Sequence, residues 1–377
     1  MTLLGIENER VYRSIITDRR VALITNFTGM DQRFRSSVDL IRKDATLVRI
    51  FTPEHGLYGI AGAGEAVGSF YDKRLKVDVV SLYGDKRAPK SSELEDIDAL
   101  VFDIQDIGVR YYTYIYTLLE AMKVAARVGT PLIVMDRPLP LGRQTPVGVK
   151  LQPDYFSFVG QLPLPNRYGL TIGELATWMR EQFVPEADLN VVPMVEWNPD
   201  LTITQNGLPW VPPSPNLPTL SALKLYTGLC LIEGTNVSEG RGTVRPFEQI
   251  GAPWINADQF AHYLTQIFPS SGVRFQPVWF KPLSSKHEGE VCQGTSFHIM
   301  TSDWSPLMLG YIVLKALVHM YPNEFNDSLV SPQIGTAHHF IEYLAGASLQ
   351  TEEDLDSLIA SPLTDSFSEE TRRFWRY

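Results

Sequence analysis

Short apolar runs alternate with segments of helical period from Val21 to about Val195. The runs are rich in β-branched residues and read VALITN, TLVRIFT, VDVVSL, ALVFDIQ, PLIVMD and LNVVPMV. Amphipathic segments such as SSVDLIRK and TYIYTLLEAMKVAARVG lie between them, and the second closes at Gly129 like a helix with a C-terminal cap. Strands that are apolar on both faces and alternate with helices indicate a mostly parallel sheet covered on two sides. The pattern predicts an α/β, Rossmann-like, doubly wound fold.

The pattern changes after Trp197, where the proline-dense stretch GLPWVPPSPNLPT begins. Shorter strand candidates, VRFQPVWF and TSFHIM, then mix with a helical segment, SPLMLGYIVLKALVHMY. A chain of 377 residues is also longer than one hydrophobic core usually serves. We therefore expect two domains: a Rossmann-like domain at 1–205 with the active-site crevice, and a smaller α+β auxiliary domain at 206–377 that contributes the loop EGTNVSEGRG.

Composition and charge limit the classes of molecule that the protein is expected to bind. The formal charge of -10 argues against a general binder of nucleic acid or anionic membranes, so an anionic ligand would need a local arginine. Cys230 and Cys292 are too far apart for a zinc spacing and are expected to be buried.

The N-terminus lacks a signal-peptide pattern, and no apolar stretch is long enough to cross a bilayer. We expect a cytoplasmic location, although a chain trimmed of its signal peptide would read identically. The sequence leaves open whether the protein is a monomer or a homodimer.

Polar residues follow several of the predicted strands. In doubly wound sheets, ligands bind beyond the carboxyl ends of the strands, where connections converge on a crevice. The candidates at these ends are Asn26, Glu54, His55, Asp103, Gln105, Asp106, Asp136 and Arg137. The first turn, TNFTGMDQR, has no G-x-G-x-x-G, and the chain has no G-x-x-x-x-G-K-[ST], so no nucleotide cofactor is indicated.

Among the motifs, TPEHG gives the strongest indication of a functional residue. Pro53 fixes its own φ and Gly56 permits a tight exit, which would hold the Glu54 side chain at a strand end. The plainer alternative for Glu54 is a surface salt bridge or a charge at a helix N-terminus. A carboxylate in a strand-end crevice favours the functional interpretation.

The stretch FDIQDIGVRYYTYIYT places Arg110 and four tyrosines at a helix start. Tyrosines at 111, 112, 114 and 116 cannot share one helical face, and Arg110 and Tyr112 are our choices for the crevice. Asp106 could instead cap the helix. Pro138 would keep Arg137 extended over the sheet edge, or Arg137 could pair with Asp136.

Two further motifs supply polar groups. In NRYGLTIGELATWM, Thr171 and Glu174 form a T-x-x-E capping box, which explains Glu174 without catalysis and leaves Arg167 and Tyr168 free to contact a ligand. The glycine-rich IEGTNVSEGRGT follows an apolar run and favours a binding loop over a merely solvated one. Its candidates, with one from the proline-rich stretch, are Glu233, Asn236, Glu239, Arg241 and Asn216.

Other catalytic signatures are missing from the sequence. The seven histidines show no H-E-x-x-H, and no G-x-S-x-G elbow occurs. A metal site built from His55, Asp103 and Asp106 stays open as a minor alternative.

Six motifs, in this order, resemble one bacterial family: TPEHG, DIQDIGVRYYTY, MDRPLP, YGLTIGELA, LPWVPPSPNLPT and IEGTNVSEGRGT. The family is the exo-β-N-acetylmuramidases, glycoside hydrolases of the NamZ type, once described as a domain of unknown function. The resemblance implies release of non-reducing-terminal N-acetylmuramic acid from peptidoglycan fragments, without a nucleotide or metal cofactor, in cell-wall recycling. It also implies a Rossmann-like domain with the cleft, a smaller auxiliary domain, and Glu54 as the catalytic acid.

The chain departs from the family pattern at three places. Tyr168 stands where members typically have histidine, Leu139 where they have asparagine, and Val147 where they have glutamate. These departures keep a second hypothesis open, in which the protein binds a sugar but has altered or lost catalysis. A metal-dependent hydrolase is the third.

Cleavage of a glycosidic bond generally needs one carboxyl to protonate the leaving oxygen and a second group to activate water or attack carbon. We assign the first role to Glu54, while Glu174, Asp103, Asp106 and Glu239 compete for the second. The lactyl carboxylate of N-acetylmuramic acid calls for an arginine. The candidates are Arg110, Arg137, Arg167 and Arg241.

Overall fold

The computed structural model describes residues 1–62, 64–349, 351–360 and 365–377. Its N-terminal part contains the strands β1 (Arg20–Thr25), β2 (Thr46–Thr52), β3 (Phe70–Asp72), β4 (Val77–Ser81), β5 (Ala99–Asp103), β6 (Leu132–Met135) and β7 (Leu189–Val192). They form one sheet in the order β3-β4-β2-β1-β5-β6-β7. Every pair is parallel except β3 with β4. All six apolar runs quoted above form strands of this sheet. Its short edge strand β3 is the member that the pattern did not predict.

Helices cover the sheet and build much of the second part. In the described residues they are α1 (Glu9–Ile16), α2 (Ser37–Ile41), α3 (Tyr114–Val128), α4 (Ile172–Phe183), α5 (Leu220–Leu229), α6 (Ala257–Ile267), α7 (Pro306–Met320), α8 (Phe340–Ala345), α9 (Glu352–Ala360) and α10 (Asp365–Thr371).

Successive residues of β1 point to opposite faces of the sheet. Ala22 and Ile24 join the core beneath α3 and α4, whereas Val21 and Leu23 join the core beneath α1 and α2. Burial on both faces explains the continuous apolar runs and confirms the doubly wound class.

The helix ends near the site follow local sequence rules. Gly129 closes α3 in the left-handed conformation, with φ of 74°. Thr171 caps α4, since its Oγ1 accepts from the Glu174 amide at 3.2 Å while the Glu174 carboxylate accepts from the Thr171 amide at 3.0 Å. The predicted capping box is therefore confirmed.

The second part is built on a small antiparallel sheet. Its strands are β8 (Gln249–Ala252), β9 (Val273–Phe280) and β10 (Cys292–Ile299), in the order β8-β10-β9. Helices α5 and α7 pack closely against each other, since a Cβ on Gly228 would lie 1.8 Å from the carbonyl oxygen of Pro306. This arrangement confirms the smaller α+β unit.

The two parts share an apolar core and several hydrogen bonds. The rings of Tyr111 and Tyr226 meet edge to face at 5.5 Å. Arg110 Nη2 donates to the carbonyl of Leu344 at 2.7 Å. The division expected between residues 205 and 206 falls in a turn and stays a prediction.

Both cysteines are buried and unpaired. Within the described ranges, no helix combines the length and apolar character needed to cross a membrane.

The C-terminal tail binds the carboxyl ends of β6 and β7. Tyr377 Oη donates to Asp136 Oδ2 at 2.8 Å and accepts from the Met194 amide at 2.7 Å. The amide of Arg376 donates to Glu174 Oε1 at 2.7 Å. Trp375 lies under the Arg143 guanidinium, whose carbon is 4.4 Å from the ring centroid. The tail thus covers a stretch of the sheet edge where the sequence had suggested a ligand.

We predict that Tyr377→Phe lowers the free energy of unfolding by about 1–2 kcal/mol, because the Met194 amide and the Asp136 carboxyl both lose a buried partner. Urea denaturation measures the change. The matched control is Tyr71→Phe, since Tyr71 is 56% exposed on β3. Equal unfolding midpoints for the two variants would contradict a stabilising role for the tail.

Candidate active site

A cleft of about 890 Å³ separates the carboxyl edge of the large sheet from the second part. A cleft of this size suits a small-molecule ligand. Its sheet side includes Glu54, His55, Tyr83, Arg87, Tyr112, Thr113 and Phe158. Its other side includes Tyr226, Glu233, Glu239, Arg241, Phe247 and Lys286, and the connecting segment adds Ser214 and Asn216.

Glu54 is held in the cleft by two separate segments. Strand β2 ends at Thr52, and Pro53 then turns the chain so that the Glu54 side chain reaches the cleft. Glu54 Oε1 accepts from the Gly64 amide at 3.0 Å, and Oε2 accepts from Thr113 Oγ1 at 2.9 Å. Because the donors come from the following loop and from the start of α3, the carboxylate has a fixed position.

His55 shapes the loop that supplies one of these donors. It has φ of 69°, and Gly56 follows with φ of 73°. A left-handed conformation costs a non-glycine residue roughly 1–3 kcal/mol, so surrounding contacts must maintain it. His55 is buried, and its Nδ1 donates to the Ala61 carbonyl at 2.8 Å. The reversal returns the chain toward Glu54, where Gly64 binds the carboxylate.

Tyrosines form the wall around Glu54. Tyr112 and Tyr114 both donate to the carbonyl of Pro213, at 2.8 and 2.9 Å. They anchor the proline-rich segment against the start of α3. Burial, together with the neighbouring Glu54 carboxylate, raises the pKa of Tyr83. Tyr83 therefore stays a neutral phenol beside Glu54 at physiological pH.

The opposite wall carries an ionic cluster around the buried Glu239, which we define as Glu233, Glu239, Arg241 and Lys286. Arg241 binds Glu239 through Nε at 3.0 Å and Glu233 through Nη2 at 3.1 Å. Lys286 Nζ lies 3.0 Å from Glu239 Oε2. Burial alone would raise the pKa of Glu239, but the charges of Lys286 and Arg241 outweigh it and lower that pKa. Glu239 is therefore an ionised carboxylate at neutral pH.

The structure brings some of the sequence-predicted residues into this cleft. They are Glu54, His55, Tyr112, Asn216, Glu233, Glu239 and Arg241. Asn236 is close in sequence but does not line the cleft. Its Nδ2 donates to the Glu324 carbonyl at 2.8 Å, and its Oδ1 accepts from the Asn326 amide at 2.9 Å.

Asp103 and Arg137 pair with each other instead of lining the cleft. Arg137 binds the carboxylate through Nε at 2.5 Å and through Nη2 at 2.8 Å, and both side chains are buried. Ser37 Oγ also donates to Asp103, at 2.5 Å. Arg137 and Gln105 line a separate crevice of about 20 Å³, which is too small for a sugar.

Glu174 and Asp136 are enclosed by their own ion pair and hydrogen bonds. Arg143 binds Glu174 with both terminal nitrogens, at 2.8 and 3.0 Å, and the Glu174 side chain is fully buried. Asp136 accepts from Gly173 N at 2.8 Å and from Tyr377. Both carboxylates also bind the C-terminal tail, and neither lines the cleft.

Arg110, Arg167 and Asn26 bind neighbouring groups of the protein. Arg110 is fully buried and donates to three backbone carbonyls, including those of Leu164 and Leu344. Arg167 donates to the Thr145 carbonyl at 2.8 Å. Asn26 Oδ1 accepts from the amide and hydroxyl of Thr28, at 2.9 and 2.6 Å. None of the three lines the cleft.

Asp106 and Tyr168 form a buried pair beside α3. Tyr168 Oη donates to Asp106 Oδ2, which also accepts from the Gly108 amide at 2.8 Å. Burial raises the pKa of the Asp106 carboxyl to about 6, although these hydrogen bonds lower it. The phenol that replaces the family's histidine therefore contacts Asp106 and not the cleft.

The metal site considered as a minor alternative, built from His55, Asp103 and Asp106, is not favoured by the positions of these side chains. Asp103 is bound by Arg137 and Asp106 by Tyr168, while His55 uses Nδ1 on a backbone carbonyl. Across the described part of the chain, no group of three or more His, Cys, Asp or Glu side chains could hold a metal ion.

Several cleft residues were not anticipated from the sequence. Tyr83 follows β4, so the strand-end rule would have found it, and Thr113 lies within the quoted RYYTY stretch. Arg87, Phe158 and Lys286 lie in loops, where no motif marks them. Only the packing of the two parts places them around one cleft.

Comparison with known proteins gives consistent matches over nearly the whole chain. Family models of the exo-β-N-acetylmuramidase NamZ match residues 21–221 (N-terminal domain) and 224–377 (C-terminal domain). A peptidoglycan β-N-acetylmuramidase NamZ of Bacillus subtilis is 42% identical over 317 residues, covering 83% of this chain and 76% of the relative. Crystal structures of two DUF1343 family proteins from Bacteroides fragilis superpose with TM-scores of 0.87 and 0.72, at 31% and 26% identity. Each covers 100% of this chain and 99% of its own.

We predict that Asp106→Asn changes how stability depends on pH. The folded carboxyl has a pKa of about 6 against an ordinary 3.8, because burial disfavours its ionised form. The folded state is therefore more stable when this carboxyl is protonated. That contribution is present below about pH 4 and is lost as pH rises through about 6. The free energy of unfolding of the wild type minus that of the variant should fall by about 3 kcal/mol between pH 4 and pH 7.

Urea denaturation at unit steps of pH tests this. Asp200→Asn, at an exposed position, is the control and should give a nearly constant difference. A constant difference for Asp106→Asn as well would show that its carboxyl titrates normally in the folded protein.

Proposed function

The chain belongs to the exo-β-N-acetylmuramidase NamZ family, and we propose that it releases N-acetylmuramic acid from the non-reducing ends of peptidoglycan fragments, with Glu54 as general acid. The observation that carries the proposal is the Glu54 carboxylate, fixed by two donors on the wall of a cleft about 890 Å³ in volume. Tyrosine and phenylalanine rings line the same cleft and suit the apolar faces of a sugar.

The surroundings of Glu54 suit proton transfer to a leaving oxygen. Thr113 Oγ1 lies 2.9 Å from Oε2, and a hydroxyl can donate to a carboxylate or accept from a carboxylic acid. Thr113 can therefore support Glu54 both before and after it gives up its proton. The neighbouring phenol of Tyr83 stays neutral and adds no competing charge.

We assign the second catalytic role to Glu239. Of the four carboxylates weighed for it from the sequence, Glu239 lines the cleft, whereas Asp103, Asp106 and Glu174 do not. The pairing with Lys286 and Arg241 keeps Glu239 ionised. An ionised carboxylate opposite the acid can activate water or stabilise the cationic transition state of glycoside cleavage.

The departures from the family pattern lie outside the cleft lining. Tyr168 and Val147 are buried, and neither lines the cleft. The substitutions therefore remove no group from the place where we expect the sugar. This supports a catalytic protein over one that only binds a sugar. The cytoplasmic location expected from the sequence stays a prediction.

We predict that Glu54→Gln slows cleavage of a β-linked N-acetylmuramyl-N-acetylglucosamine disaccharide by roughly 100- to 10,000-fold. A nitrophenyl muramide should lose much less, because nitrophenolate leaves readily without protonation. Turnover of both substrates is measured by product release. Glu186→Gln, an exposed carboxylate outside the cleft, is the control. Equal losses on both substrates would assign Glu54 another role, and near-normal turnover would remove it from the mechanism.

We predict that Glu239→Gln reduces cleavage of the disaccharide and the nitrophenyl muramide by similar factors, of roughly 100-fold or more. The second carboxylate acts at the anomeric carbon, so its loss does not depend on the leaving group. Glutamine keeps the volume of the side chain, which limits the disturbance of Arg241 and Lys286. A loss confined to the disaccharide would exclude this role for Glu239.

A further inference from the structure

Arg87 is an exposed residue on the cleft wall that the mechanism above does not use. It lies in the loop that follows β4, beyond Tyr83. Its guanidinium carbon is 4.2 Å from the ring centroid of Phe158, so the group lies over the face of the ring. Phe158 in turn contacts Tyr83, with 5.9 Å between ring centroids. Because Tyr83 adjoins Glu54, the arginine lies on the acid's side of the cleft.

The guanidinium of Arg87 has no ion-pair partner among the described residues. The cleft has two other cationic side chains, Arg241 and Lys286, and both are bound to Glu239. Arg87 forms no ion pair or hydrogen bond with any described residue; its guanidinium lies over the Phe158 ring, and its charge also acts on the nearby Tyr83 phenol. Among the cations lining the cleft in the described ranges, Arg87 is thus the group available to an anion.

The stacked arrangement suits a carboxylate. A ring beneath the guanidinium covers its flat face and leaves the N–H groups on its edge pointing outward. Two parallel N–H groups can then bind both oxygens of one carboxylate. Stacking also restricts the long side chain, which reduces the entropy lost on binding.

Building on the proposed function, we propose that Arg87, held on Phe158, binds the lactyl carboxylate of the muramyl residue and selects it over N-acetylglucosamine. The two sugars differ by the lactyl ether on O3, which carries the only charge. A cation on the same side of the cleft as Glu54 can distinguish the two sugars by this charge. The arginines suggested by the sequence do not compete, since Arg110, Arg137 and Arg167 lie outside the cleft and Arg241 is already paired.

The test compares two substrates that differ only in charge: nitrophenyl N-acetylmuramide and its lactyl amide. Arg87→Ala should lower kcat/KM for the muramide by roughly 10- to 100-fold, mainly through KM. Activity on the uncharged amide should change less than about threefold, a factor too small to represent a lost charged contact. Phe158→Leu keeps the arginine but removes its platform, so it should raise KM for the muramide by a smaller factor.

The matched control is Arg74→Ala. Arg74 also lies over an aromatic ring, 5.8 Å from the centroid of Tyr58, but it is outside the cleft lining. It should leave the preference for the muramide over the amide unchanged. Equal losses on the two substrates in Arg87→Ala, or no loss on either, would overturn the assignment.

Failure of the proposed function would look different. In that case the wild-type protein would cleave neither substrate, and calorimetry with free N-acetylmuramic acid would still test the arginine. Binding that is lost in Arg87→Ala and kept in Arg74→Ala would support the carboxylate site in a protein that does not cleave. Binding that is unaffected in Arg87→Ala would overturn it.

Discussion

A charge removed from water must be paired or neutralised, and this constraint decides which strand-end residues can do chemistry here. The carboxyl edge of the large sheet collects many charged groups within a small space. Asp103 is satisfied by Arg137, Glu174 by Arg143, and Asp106 by Tyr168. Glu54 differs because neutral groups, among them the Gly64 amide and the Thr113 hydroxyl, hold its carboxylate, and it lines the cleft. Because these three carboxylates are paired outside the cleft, Glu54 is the candidate at the end of β2 that can contact a substrate.

The same constraint organises the second part of the molecule. Glu239 stays ionised although it is buried, because Lys286 and Arg241 lie against it. The cleft therefore presents a carboxyl held by neutral donors on one wall and an ionised carboxylate held by two cations on the other. Two carboxyl groups in different surroundings are what an acid and a charged partner in glycoside cleavage require. Neither part of the chain supplies both.

The C-terminal tail shows how a sheet edge can be closed by the chain itself. Tyr377 reaches Asp136 across 241 positions of sequence, and Arg376 reaches Glu174 across 202. The strand-end rule allows a ligand crevice anywhere along the carboxyl edge of the sheet. Because the tail covers the ends of β6 and β7, the cleft lies on the side near β2. The tail and the ion pairs bind the half of the edge that lies outside the cleft.

The sequence by itself determined the parallel strands of the large sheet, the caps of α3 and α4, the α/β class and the position of Glu54 at the end of β2. Those features depend on periodicity and on dihedral restrictions that act over a few residues. It could not determine that Arg137 would bind Asp103, or that Arg241 would be paired while Arg87 has no ion pair with a described residue. Motifs identify groups that can bind, but charged side chains choose partners by distance in the folded molecule. Only the tertiary structure brought those partners within 3 Å or so, and pairing strength falls steeply with separation and exposure to water.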